Sequence, residues 1–102
     1  MFFAATLIDK PEGAALRVKT AQAHRAFVLE NADRMLLGGP LTSADGGENI
    51  GSLIVIASAS EADAKALLAQ EPYTKAGLFE RVIIHRFHPV IQNPDLNESE
   101  MT

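Results

Sequence analysis

Residues 50–57 read Ile50-Gly51-Ser52-Leu53-Ile54-Val55-Ile56-Ala57, a β-branched and apolar run that suits a strand far better than a helix of the same length. Ile50, Ile54 and Ile56 share one parity, and Leu53, Val55 and Ala57 share the other. Side chains alternate between the faces of a sheet, so both faces of this strand ask for cover.

Working back from that run, the loop Ser43-Ala44-Asp45-Gly46-Gly47-Glu48-Asn49 separates it from a short apolar piece, Arg34 to Leu37, which reads as a second strand in a hairpin-like connection. Gly38-Gly39-Pro40-Leu41 between them is expected to need unusual backbone angles. Upstream, Ala14 to Ala32 contains no Gly or Pro, and Leu16, Thr20, Ala23, Phe27 and Asn31 recur at helical spacing, with Arg17, Gln22, Arg25 and Glu30 elsewhere around the barrel. This predicts a long helix ending near Asn31. Phe2 to Ile8 forms the first strand, stopped by Asp9-Lys10-Pro11-Glu12-Gly13.

Working forward, Ser58 or Ser60 can cap a short helix over Ala62 to Gln70, which stops before Pro72. Glu71 to Gly77 reads as a loop, and Phe79 to Val90 as the last strand. From Gln92 the text QNPDLNESEMT is polar, acidic and aperiodic, a composition that cannot offset its ordering entropy. A frayed tail over 92–102 follows, free or lying on a partner subunit, after a single domain over 1–91.

The order βαββαβ predicts an α+β ferredoxin-like fold, with a four-stranded antiparallel sheet and two helices on one face. Two helices cover one side only, so the doubly apolar strands predict a homodimer in dimeric α/β-barrel-like, sheet-against-sheet packing.

Composition removes several function classes. The chain has no Cys, which excludes disulfides and thiolate metal sites and fits a cytoplasmic setting. Its start, MFFAATLIDK, lacks the charged lead of a signal peptide and meets Asp9 before reaching membrane-spanning length, so no membrane association is expected. Nine Lys and Arg, scattered among 13 Asp and Glu, argue against nucleic acid. His85 and His88 have opposite strand parity and diverge, so no metal site is expected, and no cofactor motif is present.

Two residues remain as candidates for chemistry. His24 lies mid-helix at the edge of the apolar stripe, where it can point into a cleft or simply pack. Glu71 stands at the end of the second helix, where it can build a site or merely be solvated.

His24, Gly39-Pro40-Leu41, the run at 50–57, and Glu71-Pro72-Tyr73 followed by Ala76-Gly77-Leu78-Phe79 together resemble the YciI family over residues 1–91. The resemblance implies a dimeric ferredoxin-like fold similar to muconolactone isomerase, and an active site centred on the helix histidine and the acidic residue of an Asp-Pro-Tyr or Asp-Pro-Phe motif. Here that motif reads Glu-Pro-Tyr, with the carboxylate carried one methylene further out. A related member acts as a dehydrochlorinase on a chlorinated hydroxyquinol.

The reading that follows is a cofactor-free isomerase, lyase or dehydrochlorinase acting on a small organic acid or oxygenated ring compound. His24 is its general base and Glu71 orients it. Tyr73 and the Gly38, Gly39 and Pro40 segment bind substrate and meet developing negative charge. The rival readings are a non-catalytic dimer that binds a small ligand or a protein, and an accessory domain of another enzyme. A shaped pocket with His24 and Glu71 in hydrogen-bond reach separates the first reading from these.

Overall fold

The computed structural model describes residues 1–96 and Glu98. Strand β1 (Phe2–Asp9) leads into helix α1 (Ala14–Glu30), and a 3₁₀ turn (Ala32–Arg34) precedes β2 (Met35–Thr42). Then come β3 (Asn49–Ala57), α2 (Glu61–Ala69), a one-turn helix α3 (Pro72–Lys75) and β4 (Phe79–Phe87). The sheet order is β2-β3-β1-β4 with every neighbouring pair antiparallel, which is the ferredoxin-like arrangement expected.

Alternation along β1 builds the core. Phe3, Ala5 and Leu7 are buried on one face, opposite Ile54 and Ile56 of β3. Leu67 and Leu68 of α2 and Phe27 of α1 pack on that same face. Both main helices therefore cover one side of the sheet. The other side carries Phe2, Leu37, Leu53, Ile83 and Phe87, and Leu37 and Phe87 remain 52% and 40% exposed.

Three local readings change, and the choice between two caps is resolved. Gly38-Gly39-Pro40 is not an unusual turn but the middle of β2, whose ladder runs from Met35 to Thr42, and neither glycine has positive φ. An edge strand can hold Pro40 because its missing N–H can face outward. Ser60, not Ser58, caps α2, its Oγ accepting from the Asp63 N–H at 3.1 Å. Glu71 to Gly77 is not a plain loop, since Pro72 sits at the first position of α3, where its missing N–H costs nothing. Finally, β4 stops at Phe87, the partner of Phe2, because the ladder with β1 ends there. Residues 88–96 add only a turn at Asn93, and the rest of the tail apart from Glu98 lies outside the described residues.

Candidate functional site

The inward face of α1 is not the predicted stripe. Ala23 is exposed and, of the expected set, Phe27 alone joins the core. Instead Arg17, Ala21, His24 and Val28, spaced at helical intervals, look into the molecule. An ion pair ties this face of the helix to the sheet. The Arg17 Nε donates to Asp9 Oδ2 at 2.7 Å and Nη2 to Asp9 Oδ1 at 2.9 Å, a two-pronged bond to the end of β1. Nη2 also reaches Ser52 Oγ of β3 at 3.2 Å. Arg17 is only 7% exposed, and the bond to Asp9 holds its guanidinium above the ordinary value despite burial.

Glu71 is positioned by the turn it starts. It caps α3, and its Oε2 accepts the Thr74 N–H at 3.2 Å. The other oxygen, Oε1, lies 2.6 Å from His24 Nδ1, so the extra methylene relative to Asp does not prevent the bond. Glu71 is 1% exposed, so it is not the solvated helix-end charge that the sequence also allowed. An ionised carboxylate only accepts, which puts the proton on Nδ1 and, in the neutral ring, leaves Nε2 with a lone pair.

Tyr73, the next residue but one, stacks on the His24 ring with centroids 4.3 Å apart and planes 21° from parallel. Arg17 lies over the Tyr73 ring at 4.6 Å, and Phe79 meets it edge-on. Burial pushes the Tyr73 phenol above its ordinary value, against the pull of nearby Arg17. Gly77, at φ 77°, takes the left-handed conformation that closes this turn and sends buried Leu78 and then β4 on their way.

Between α1 and the β2–β3 hairpin lies a cavity of about 1000 Å³. His24, Tyr73, Gly38, Gly39 and Pro40 all line it, as do Asp9, Arg17 and Ser52. Glu71 does not; it stands behind His24 and acts on the cavity only through that ring. Asp9, Arg17 and Ser52 were missed as site residues. The available signal was that Arg17 precedes His24 by two helical turns and so shares its face. His85 lies on the opposite sheet face, paired with Ala4, and His88 follows β4; neither is near this cavity. Among the described residues no cluster of three or more His, Cys, Asp or Glu could hold a metal, and no helix is long and apolar enough to cross a membrane.

No curated protein matches the chain. Among solved structures it is similar to 5-chloro-2-hydroxyhydroquinone dehydrochlorinase (TftG) from Burkholderia phenoliruptrix AC1100, in complex with 2,5-dihydroxybenzoquinone. The TM-score is 0.81 at 27% identity, over 86% of this chain and 94% of that one. A protein from Agrobacterium tumefaciens shares the fold at TM-score 0.54 and 18% identity, over 92% of this chain and 98% of the other. Another, from Mycobacterium tuberculosis, does so at TM-score 0.50 and 18% identity, over 89% and 95%. Residues 1–88 match the YCII-related domain family, and the chain belongs to that family.

Proposed function

We propose that this protein is a cofactor-free proton-transfer enzyme acting on a small oxygenated ring compound, an isomerase, lyase or dehydrochlorinase, and that it works as a cytoplasmic homodimer. The observation that carries the reading is the 2.6 Å bond between buried Glu71 and His24 in the wall of a cavity large enough for a substrate. A carboxylate in that position fixes the imidazole tautomer and favours the imidazolium that forms when Nε2 takes a proton. The Tyr73 stack restrains the same ring from another side.

In this reading Nε2 of His24 removes a proton from a ring hydroxyl or an acidified ring C–H. The electron pair moves onto a ring oxygen facing Arg17, Ser52 and Tyr73, whose N–H and O–H groups receive the charge. Returning the proton to another atom completes an isomerisation, and loss of a leaving group with its electron pair completes an elimination. A ring is favoured over a simple acid by the likeness to TftG, bound to a dihydroxybenzoquinone. The Arg17 charge is moreover already neutralised by Asp9, which suits an oxygen that gains charge during reaction better than a full carboxylate.

The test is a variant series read by binding and turnover of hydroxylated quinones and quinols. His24→Asn and His24→Gln should leave the fold within about 1 kcal/mol of wild type while lowering turnover about 100-fold or more. Glu71→Asp should retain activity and Glu71→Gln lose most of it. Equal turnover in the His24 variants, or loss of stability with no change in turnover, would remove the proposal.

A further inference from the structure

The cavity is larger than the chemistry at its polar end requires. Arg17, Ser52, Tyr73 and His24 occupy one part of the wall, while Val28, Leu29, Ala32, Met35 and Ile54 line an apolar part with Arg25 at its rim, floored by buried Ile54 and open to solvent at Leu29 and Ala32. These two parts lie at different levels of the fold. Ser52 pairs with Pro40, whereas Met35 pairs with Ile56, further along β3, and Val28 is one turn of α1 beyond His24. From Arg17 to Val28 the helix rises roughly 16 Å, much longer than a single ring with its oxygens. Sites for drug-sized ligands run from about 300 to 1000 Å³. The whole cavity, about 1000 Å³, is at the top of that range.

The two parts are continuous in one cavity, so a single ligand can span both. We infer that the substrate carries an apolar arm, an alkyl or aryl substituent of several carbons, that runs from the ring at His24 into the lobe formed by Val28, Leu29, Ala32, Met35 and Ile54. The inference rests on the proton-transfer reading for the position of the ring and adds the substituent. It makes Val28 and Met35 specificity-determining residues, since they set how far the arm can extend without touching the reacting atoms. Burying a methylene in such a lobe tightens binding by about fourfold, so even a partly buried four-carbon arm should be felt strongly.

The test compares 2,5-dihydroxybenzoquinone with its 3-butyl derivative by calorimetry on the full chain. Wild type should bind the butyl compound about 10-fold or more tightly than the parent. Val28→Trp, which fills the lobe one turn past His24, should bring the ratio of the two dissociation constants to about one. Ala32→Trp, on the exposed 3₁₀ turn, supplies the same block should Val28→Trp fail to fold. Parent quinone binding with no gain from the butyl arm would overturn the inference alone, and would fit a lobe filled by a second copy of the chain. An unchanged ratio in folded Val28→Trp or Ala32→Trp would overturn it too. Failure of both quinones to bind wild type would sink the ring reading and the arm with it.

Discussion

Arg17 bears more of the site's order than any other side chain on α1. It joins β1 through Asp9, β3 through Ser52 and the α3 turn through Tyr73. Removing one partner of a buried pair leaves a charge uncompensated at a cost of about 3 kcal/mol or more. Asp9→Asn should lower the unfolding free energy by about that much in urea titrations; a loss under about 1 kcal/mol would show that the pair is not what seats the helix. Tyr73 can be followed by itself because it is the chain's only tyrosine. Burial holds its phenol above the ordinary value, so the unfolded chain ionises first as pH rises. Its contribution is complete below about pH 10 and is lost as pH climbs through the folded value. Phenolate absorbance should therefore titrate at higher pH in the folded than in the urea-unfolded protein, and Tyr73→Phe should flatten the alkaline fall in melting temperature. His24 and Glu71 were legible as candidates because a motif pairs them. Arg17 was not, because a buried guanidinium looks like a surface charge until its partner, eight residues earlier on another element, is known.

Strands were more legible than turns. The run at 50–57 announces itself by composition, and helix α1 by the absence of breakers over its 17 residues. Which face α1 buries was not legible, because its inward line mixes Arg17, Ala21 and His24 and so carries no clear apolar stripe. Gly38-Gly39-Pro40 misled for a related reason. Glycine is read as a bend, whereas here the pairing of Gly38 with Ile54 and Gly39 with Leu53 imposes an extended edge strand. Gly51 has a different reason to be glycine: a side-chain carbon there would collide with the Leu7 carbonyl on β1. Gly51→Ala should force β1 and β3 apart beside Ser52 and destabilise the fold by about 1–3 kcal/mol, measured by thermal melting. A neutral substitution would mean that the β1–β3 spacing is not fixed at this point.

For the molecule as a whole, the sheet has one covered face and one that is apolar and bare. Both were readable from the doubly apolar parity of β3. What covers the second face was inferred from the cost of exposing it, and a second copy is the simplest cover. The protein should elute at roughly twice its 11.0 kDa chain mass, and Leu53→Arg, at the middle of the bare face, should return it to monomer size. A monodisperse wild-type monomer at micromolar concentration would contradict the dimer. In the proposed mechanism His24, held by Glu71, moves protons on an oxygenated ring. The most direct test of that step is the rate at which ring hydrogens of 2,5-dihydroxybenzoquinone exchange with D₂O, followed by NMR with wild-type protein and with His24→Asn. Exchange should run well above the buffer rate with wild type and fall about 100-fold with a still-folded His24→Asn; equal rates for the two proteins, or no acceleration by wild type, would rule this mechanism out.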